Sequence, residues 1–425
     1  MRRLVLRFSG VFVLAANVIV ISGCGSAHES EAAKQVTVRF AMLPYGDHTY
    51  AIIGIRKNWF REAGINLVYQ AVKVDEVVSY LRNGTVDVAS CSPGVIFAAH
   101  DSDPRIVSFV FGDIFQGYGI MASPNSGVRS FQALVASGLS PSDAVKTAIQ
   151  QMRGKVFAYP SEAAVKPFID IALSKGGLTR QDVKSLVLDD PLTVNAMRNH
   201  QADFQVGGAP SRILLEREGF RPILTSNDLA RAAEASPNSP ELASIFTDGW
   251  ATTRDYYNKN HDTILRLSSV NFRITQFMKE HQDEALAIHM PYLSQVTGQP
   301  FSAADGKVIY NSLDPFFTFE AQNPWYNDPT TTYYFKNLNG ALITNFVKEG
   351  VYKKPPPTVE DVIVADRIYN ELAQLRSKCD SSFSRLEKLT LSGTQQTSFL
   401  EAKQYYQAYN YLDALQSAKA ALAGN

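Results

Sequence analysis

What most constrains this chain is the regular exchange of strand and helix patterns that begins at Val36. Val36 to Leu43 alternates and is β-branched at its start, which predicts a strand that ends at Pro44, because proline cannot donate to a sheet ladder. Ala51 to Ala63 reads as a helix stopped by Gly64, and Ile65 to Tyr69 as a second strand. Val74, Val77, Val78 and Leu81 recur at helical spacing and give one apolar face. Gly84 ends that helix, and Val86 to Ala89 follows as a short buried strand. Short strands separated by single helices pair in parallel through crossovers, so the pattern predicts parallel α/β units.

The plan is used twice. Leu81-Arg82-Asn83-Gly84-Thr85-Val86-Asp87-Val88 is echoed by Met197-Arg198-Asn199-His200-Gln201-Ala202-Asp203-Phe204. In both copies a helix ends, a strand starts near the aspartate, and a proline follows (Pro93 or Pro210) where a new helix can begin. The expected fold is α/β with two lobes, each a mostly parallel sheet flanked by helices. Phe109 to Ala122 reads as the first passage between lobes. Lys155 to Tyr159, Val183 to Leu188 and Phe204 to Gly207 supply strands of lobe two, and the helix carrying Phe168 and Ile169 starts near Pro167. The chain is expected to recross near Pro222 to Ser226. Lobe one is then discontinuous, 36–120 and 225–365, and lobe two is 121–224.

From Asp366 the pattern turns to polar helices. Residues 366–425 read as a helical hairpin turning around Ser392-Gly393, with the glycine ending the first helix. It either packs on lobe one or serves as an arm that docks a protein partner.

The N-terminus addresses the compartment. Met1-Arg2-Arg3 with Arg7 makes a positive segment, and Val11 to Ile21 is apolar but shorter than the roughly 20 residues a spanning helix needs. It closes on Ile21-Ser22-Gly23-Cys24, which resembles a bacterial lipobox, so 1–24 is expected to be a lipoprotein signal with Cys24 lipidated, and 25–35 a flexible tether. An ordinary secretory signal with a chance cysteine is the alternative. Either way the remaining chain works outside the cytoplasm. Lys+Arg and Asp+Glu are equal at 41 each, so no net field attracts nucleic acid or anionic lipid. Of the 3 cysteines, Cys91 and Cys379 remain after Cys24, either bridged or as two buried thiols; the apolar core, not a disulfide framework, carries stability.

Ligands of open α/β sheets sit beyond the carboxyl ends of the strands, and two lobes can close on a solute there. The loops that follow strands therefore supply the candidates. Tyr45, Asp47 and His48 follow the first strand, offering a ring to stack and two polar contacts; His48 is equally readable as a helix-start residue. Ser90, Cys91 and Ser92 lead into Pro93, where hydroxyls and backbone N–H groups can bind a ligand oxygen, or Ser92 can simply cap. Asp113 and Gln116 stand before the crossing. Ser161, Glu162, Gly208 and Pro210 come from lobe two, whereas Asp189-Asp190 reads as a solvated helix-start pair. Phe316, Phe317, Phe319, Trp325, Tyr326, Tyr333 and Tyr334 form an aromatic patch, a cleft wall or core. Acids outnumber bases at these loops, with Lys166 and Arg212 the nearest cations on helices. Small oxyanions are usually held by Arg, Lys or helix N-termini, so the balance favours a neutral or cationic heteroaromatic solute.

The enzyme motifs G-x-S-x-G, GxxxxGK[ST] and H-E-x-x-H are missing, and the 7 histidines are scattered. No catalytic residue, cofactor or metal ligand is read from the sequence.

Several stretches resemble one family. Pro44-Tyr45-Gly46-Asp47-His48-Thr49, Trp59-Phe60-Arg61-Glu62-Ala63-Gly64-Ile65, Leu81 to Asp87, Gly154-Lys155-Val156 and Gly177-Leu178-Thr179 before Asp182-Val183 fall in the order and spacing of the SsuA/ThiY-like substrate-binding proteins for sulfonates, nitrate and thiamine pyrimidines. The resemblance runs from Val36 to about Asp366. It implies a type II periplasmic-binding fold, an ABC permease as partner, a small-molecule solute and a monomeric, membrane-tethered component of an importer. Pro44-x-x-x-His48-Thr49 is most similar to the thiamine-pyrimidine binders. Some relatives are enzymes with a cysteine-rich iron motif, which this chain lacks.

Overall fold

The first strand, β1 (Val36–Met42), pairs in parallel with β2 (Ile65–Ala71) along its whole length and with β3 (Val88–Ser90) on its other side. These are the strands expected from the alternation, in a computed structural model that describes residues 35–232 and 239–423. The expected signal, Cys24 and nearly all of the expected tether lie outside the described residues. The helix expected over 51–63 is two pieces, Ala51–Arg56 and Trp59–Glu62, because Asn58 turns left-handed with φ 61°. Asparagine tolerates that conformation better than most residues. The break lets Phe60 reach Trp250, 6.0 Å between ring centroids, while Trp59 meets Phe277.

Two further strands complete the first sheet: β4 (Ile106–Phe115) and, from much later in the chain, β10 (Phe246–Thr253). The order is β2-β1-β3-β10-β4, with β10 antiparallel to both neighbours. The second sheet repeats it. Here β5 (Gly119–Ala122), β6 (Val156–Pro160), β7 (Lys184–Leu188), β8 (Phe204–Gly207) and β9 (Arg221–Thr225) stand in the order β7-β6-β8-β5-β9. Each sheet is thus a parallel trio extended by one antiparallel strand and then by an outer strand that runs with the trio, flanked by helices. The helix near Pro167 runs Lys166–Lys175, with that proline in its first turn.

The first crossing lies at Gln116–Tyr118, between β4 and β5. The return is not at Pro222 to Ser226. Arg221–Thr225 is an edge strand of the second sheet, and Ser226–Ala232 packs against the helix Pro141–Gln150 of the same lobe. The chain re-enters the first sheet only at Phe246, after a short helical turn, Pro240–Ser244. Ile223 and Leu224 are an adjacent apolar pair buried in this strand, and no local pattern marks which sheet it joins.

The C-terminal region differs from a hairpin. Ala365–Leu386 lies along β4, with Ile368, Tyr369 and Leu372 buried. Ser392 caps the next helix, Gly393–Gln407, so Gly393 opens a helix instead of ending one. Tyr409 is left-handed at φ 64° and separates a third helix, Tyr411–Ala423. Arg266 donates to Asp413 at 2.9 and 2.7 Å, tying the third helix to a helix of lobe one, His261–Glu280. Cys91 and Cys379 are separate buried thiols. In the aromatic patch, Phe319, Trp325 and Tyr326 are core residues; Tyr326 stacks on Phe111 of β4.

Candidate functional site in the cleft

The turn after β1 is fixed from below. Thr49 donates to the carbonyl of Tyr45 at 2.8 Å, and its hydroxyl is 2.7 Å from His289 Nε2, whose Nδ1 is 2.8 Å from the Tyr310 hydroxyl. Burial drives His289 down to about 3, so this ring is a neutral strut. The turn so anchored presents Tyr45, Asp47 and His48 toward lobe two.

The start of β10 faces the same space. Asp248 sits directly opposite Asp113 of β4, and the ladder slips by a bulge between Asp248 and Gly249. Bulges re-aim side chains, and directly opposed residues of antiparallel strands project to the same side. Asp47, His48, Asp113, Asp248 and Asp314 are all buried, and each carries at least one polar atom without a hydrogen-bond partner among the described residues. His48 Nε2 lies 3.7 Å from Asp47 and 3.8 Å from Asp248.

Lobe two closes the space with Pro160, Glu162, Asp190 and the segment Gly207-Gly208-Ala209. Phe115, Tyr118 and Phe246 make an aromatic side wall; Phe115 stacks on Phe246 at 4.9 Å and meets Tyr118 edge-on at 4.5 Å. The free volume between these walls is about 40 Å³.

The electrostatics are one-sided. Burial, reinforced by neighbouring aspartates, pushes the Asp113, Asp248 and Asp314 carboxyls well above the usual range. Glu162 is raised to about 8 by burial and the charges of Asp190 and Asp47; Asp190 is raised to about 6 by burial, offset by the Ser211 hydroxyl it accepts at 2.5 Å. Desolvation lowers His48 despite the adjoining Asp47. Arg212, a cation that acts on Asp314, is engaged elsewhere: it donates to Glu216 at 2.8 Å and to the Gly117 carbonyl at 3.1 Å.

The structure brings Tyr45, Asp47, His48, Ser92, Glu162 and Gly208 to this cavity, with Asp113 in the acid cluster beside it. The other candidates are elsewhere. Ser90 accepts from Leu43 N at 3.1 Å and braces the ends of two strands. Cys91 is wholly buried behind them, where desolvation pushes its thiol far up. Ser92 lines the cavity and also caps Pro93–Ala99 by accepting from Gly94 N at 3.0 Å. Gln116 reaches the Ser312 carbonyl. Ser161 is exposed and lines a separate groove, and Pro210 lines an adjoining apolar pocket.

Asp190 is not a solvated helix-start residue: it faces the cavity, while Asp189 precedes the helix and stays exposed. Sequence reasoning missed Phe115, Tyr118, Phe246, Asp248 and Asp314. Asp248 carries a usable signal, a lone acid inside the run Phe246 to Ala251 that otherwise reads as a buried strand.

The interface between lobes is tight enough to test. A Cβ at Gly208 would lie 2.7 Å from Phe115 Cζ, and Phe115 is pinned by its two ring neighbours. Gly208→Ala should therefore oppose closure. Solute affinity should fall about tenfold while the melting temperature stays near that of the wild type; calorimetry beside thermal unfolding checks both.

Two sheets of matching order, joined by two crossings with an acid-lined cavity between them, define the two-lobed periplasmic-binding fold. The chain belongs to the NMT1-like family, whose model matches residues 31–290. No curated protein sequence matches it. Among solved structures it is similar to the periplasmic aliphatic sulphonate-binding protein SsuA of Escherichia coli, at 13% identity and TM-score 0.54, covering 79% of this chain and 99% of that one. The alkanesulfonate-binding protein SsuA of Xanthomonas axonopodis pv. citri, bound to MOPS, gives 13% identity and TM-score 0.56, over 78% and 99%. The desulfurization enzyme DSZB in complex with biphenyl-2-sulfinic acid shares the fold at 10% identity and TM-score 0.52, over 80% and 99%.

Proposed function

We propose that this protein captures a small cation between its two lobes and delivers it to an ABC-type permease, working outside the cytoplasm as a monomer tethered through lipid on Cys24. The observation that carries this reading is the buried acid cluster. Asp47, Asp113, Asp248 and Asp314 from lobe one meet Glu162 and Asp190 from lobe two, with no free base among the described residues to neutralise them. Burying like charges costs several kcal/mol per ion unless an opposite charge joins them. A sulfonate or nitrate would add to the repulsion. A cation relieves it, and does so best when both lobes contribute, which couples binding to closure. Cys91 is sealed in the core, so its thiol does not face a solute in the cleft.

A protonated aminopyrimidine is the heteroaromatic member of this class. Tyr45, Phe115, Tyr118 and Phe246 offer it ring surfaces, though the lobes must part to admit it, since the free volume between them is about 40 Å³. Thermal unfolding against metal ions, alkylamines, guanidinium, aminopyrimidines, sulfonates and nitrate tests the reading. Cations at about 100 times their Kd should stabilise the fold by roughly 2.7 kcal/mol. Stabilisation by sulfonate or nitrate and by no cation would overturn it.

A further inference from the structure

Within the acid cluster, Asp47, His48 and Asp248 each offer a donor atom, and the three atoms lie within 4.8 Å of one another. Their spacing is informative. The contacts from His48 Nε2, 3.7 and 3.8 Å, are too long for hydrogen bonds, which for nitrogen and oxygen run to about 3.2 Å. Two donors each about 2.1 Å from a common ion are about 3.4 Å apart at a tetrahedral angle. The triad is thus spaced as ligands are, slightly expanded.

A second observation is independent of the acids. His48 is 4% exposed, and its Nδ1 has no hydrogen-bond partner among the described residues. Asp47 Oδ1 and both oxygens of Asp248 are likewise unpartnered. Buried polar atoms are nearly always satisfied by protein, water or an ion, so unpartnered atoms on three adjoining buried side chains call for an occupant. The volume selects its size. About 40 Å³ holds an ion with one or two waters, since a water needs roughly 10–15 Å³ by the same kind of measure. The donors select its kind: one imidazole among carboxylates suits Mn²⁺, Fe²⁺ or Zn²⁺ better than Ca²⁺ or Mg²⁺, which prefer oxygen alone, or Cu⁺, which prefers sulfur. The turn that carries two of the ligands is braced by Thr49, His289 and Tyr310, so it is preorganised.

We infer that Asp47, His48 and Asp248 form a binding site for a divalent transition-metal ion in the floor of the cleft, and that this ion is the cation the protein captures. Asp113 and Asp314 flank the site and add negative charge around the ion. Glu162 and Asp190 close over it from lobe two and bind its remaining waters. The inference rests on the cation-capturing reading above and names the cargo within it.

The full chain, purified in detergent and stripped with a chelator, is titrated with Mn²⁺, Zn²⁺, Ca²⁺, guanidinium and an aminopyrimidine by calorimetry. One Mn²⁺ or Zn²⁺ per chain is expected, bound at least 100-fold more tightly than Ca²⁺. Asp248→Asn and His48→Gln should each weaken it by 100-fold or more. Mn²⁺ spin-echo spectroscopy on the wild type, which needs no variant to fold, should show coupling to one imidazole nitrogen. A Mn²⁺ signal without nitrogen coupling, or affinity unchanged in both variants, overturns the metal site. Binding of an organic cation but of no metal overturns the inference and leaves the cation reading standing. Binding of no cation at all removes both.

Discussion

Raising the pH from about 5 to about 8 is expected to lower the melting temperature of the metal-free protein by several degrees. Glu162 ordinarily titrates near 4.5 and is raised to about 8 in the fold; Asp190 moves from 3.8 to about 6. A raised carboxyl means that the native state holds protons the unfolded chain has released. Stability therefore falls with pH across the interval between the two values and levels off above the folded one. The buried Asp113, Asp248 and Asp314 shift in the same direction and deepen the fall. Affinity for a cation should run the opposite way, rising over the same interval as the acids ionise. The pair Glu162→Gln and Asp190→Asn should raise the melting temperature at pH 8, flatten much of the slope and weaken cation binding. Differential scanning calorimetry from pH 5 to 9 decides it. A wild-type profile that is flat or climbs would contradict the one-sided charge of the cleft.

The second large effect is mechanical. Replacing Gly249 by alanine is expected to cost about 3 kcal/mol or more. A Cβ there would lie 2.0 Å from the Val110 carbonyl oxygen and 2.7 Å from Phe111 Cα. Those are backbone atoms of the neighbouring strand and cannot swing aside as a side chain would. The carbonyl of the same residue accepts from Cys91 N at 2.9 Å, so β10 cannot simply retreat. Because the bulge at Asp248/Gly249 sets where Asp248 points, a folded remnant should also bind solute poorly. Urea unfolding of Gly249→Ala beside wild type gives the number. A midpoint within error of the wild type would show that the strands tolerate the separation.

Much of the frame was readable because alternation and helical spacing are local signals. The strands at Val36, Ile65, Lys184 and Phe204 and the helix beginning near Pro167 follow from residues next to one another in the chain. What sheet a strand joins is not local, and so Arg221–Thr225 and the return at Phe246 escaped the reading. The site divides in the same way. Tyr45, Asp47, His48 and Glu162 follow strands and were found by that rule. Asp248 lies at the start of a strand and Asp314 on a loop after a helix, where no rule about strand ends reaches. Their significance comes from meeting Asp47 in space. Ser90 and Cys91 show the converse: they follow a strand as a ligand-binding loop should, yet they turn inward because the braced end of β1 covers them.

The interleaved strand order also sets a sequence of events as the chain is made. Every strand of the second sheet lies within one uninterrupted stretch, Gly119 to Thr225. In the first sheet, β10 is the partner that joins β4 to the rest, and it is made only after lobe two is complete. A chain emerging N-terminus first thus delivers a lobe that can close its sheet while β1 to β4 still await their keystone. Until Phe246 to Thr253 arrives, the strongly apolar β4, buried along its whole length in the finished protein, has no partner on that edge. That interval is when a newly made molecule most needs a chaperone's cover.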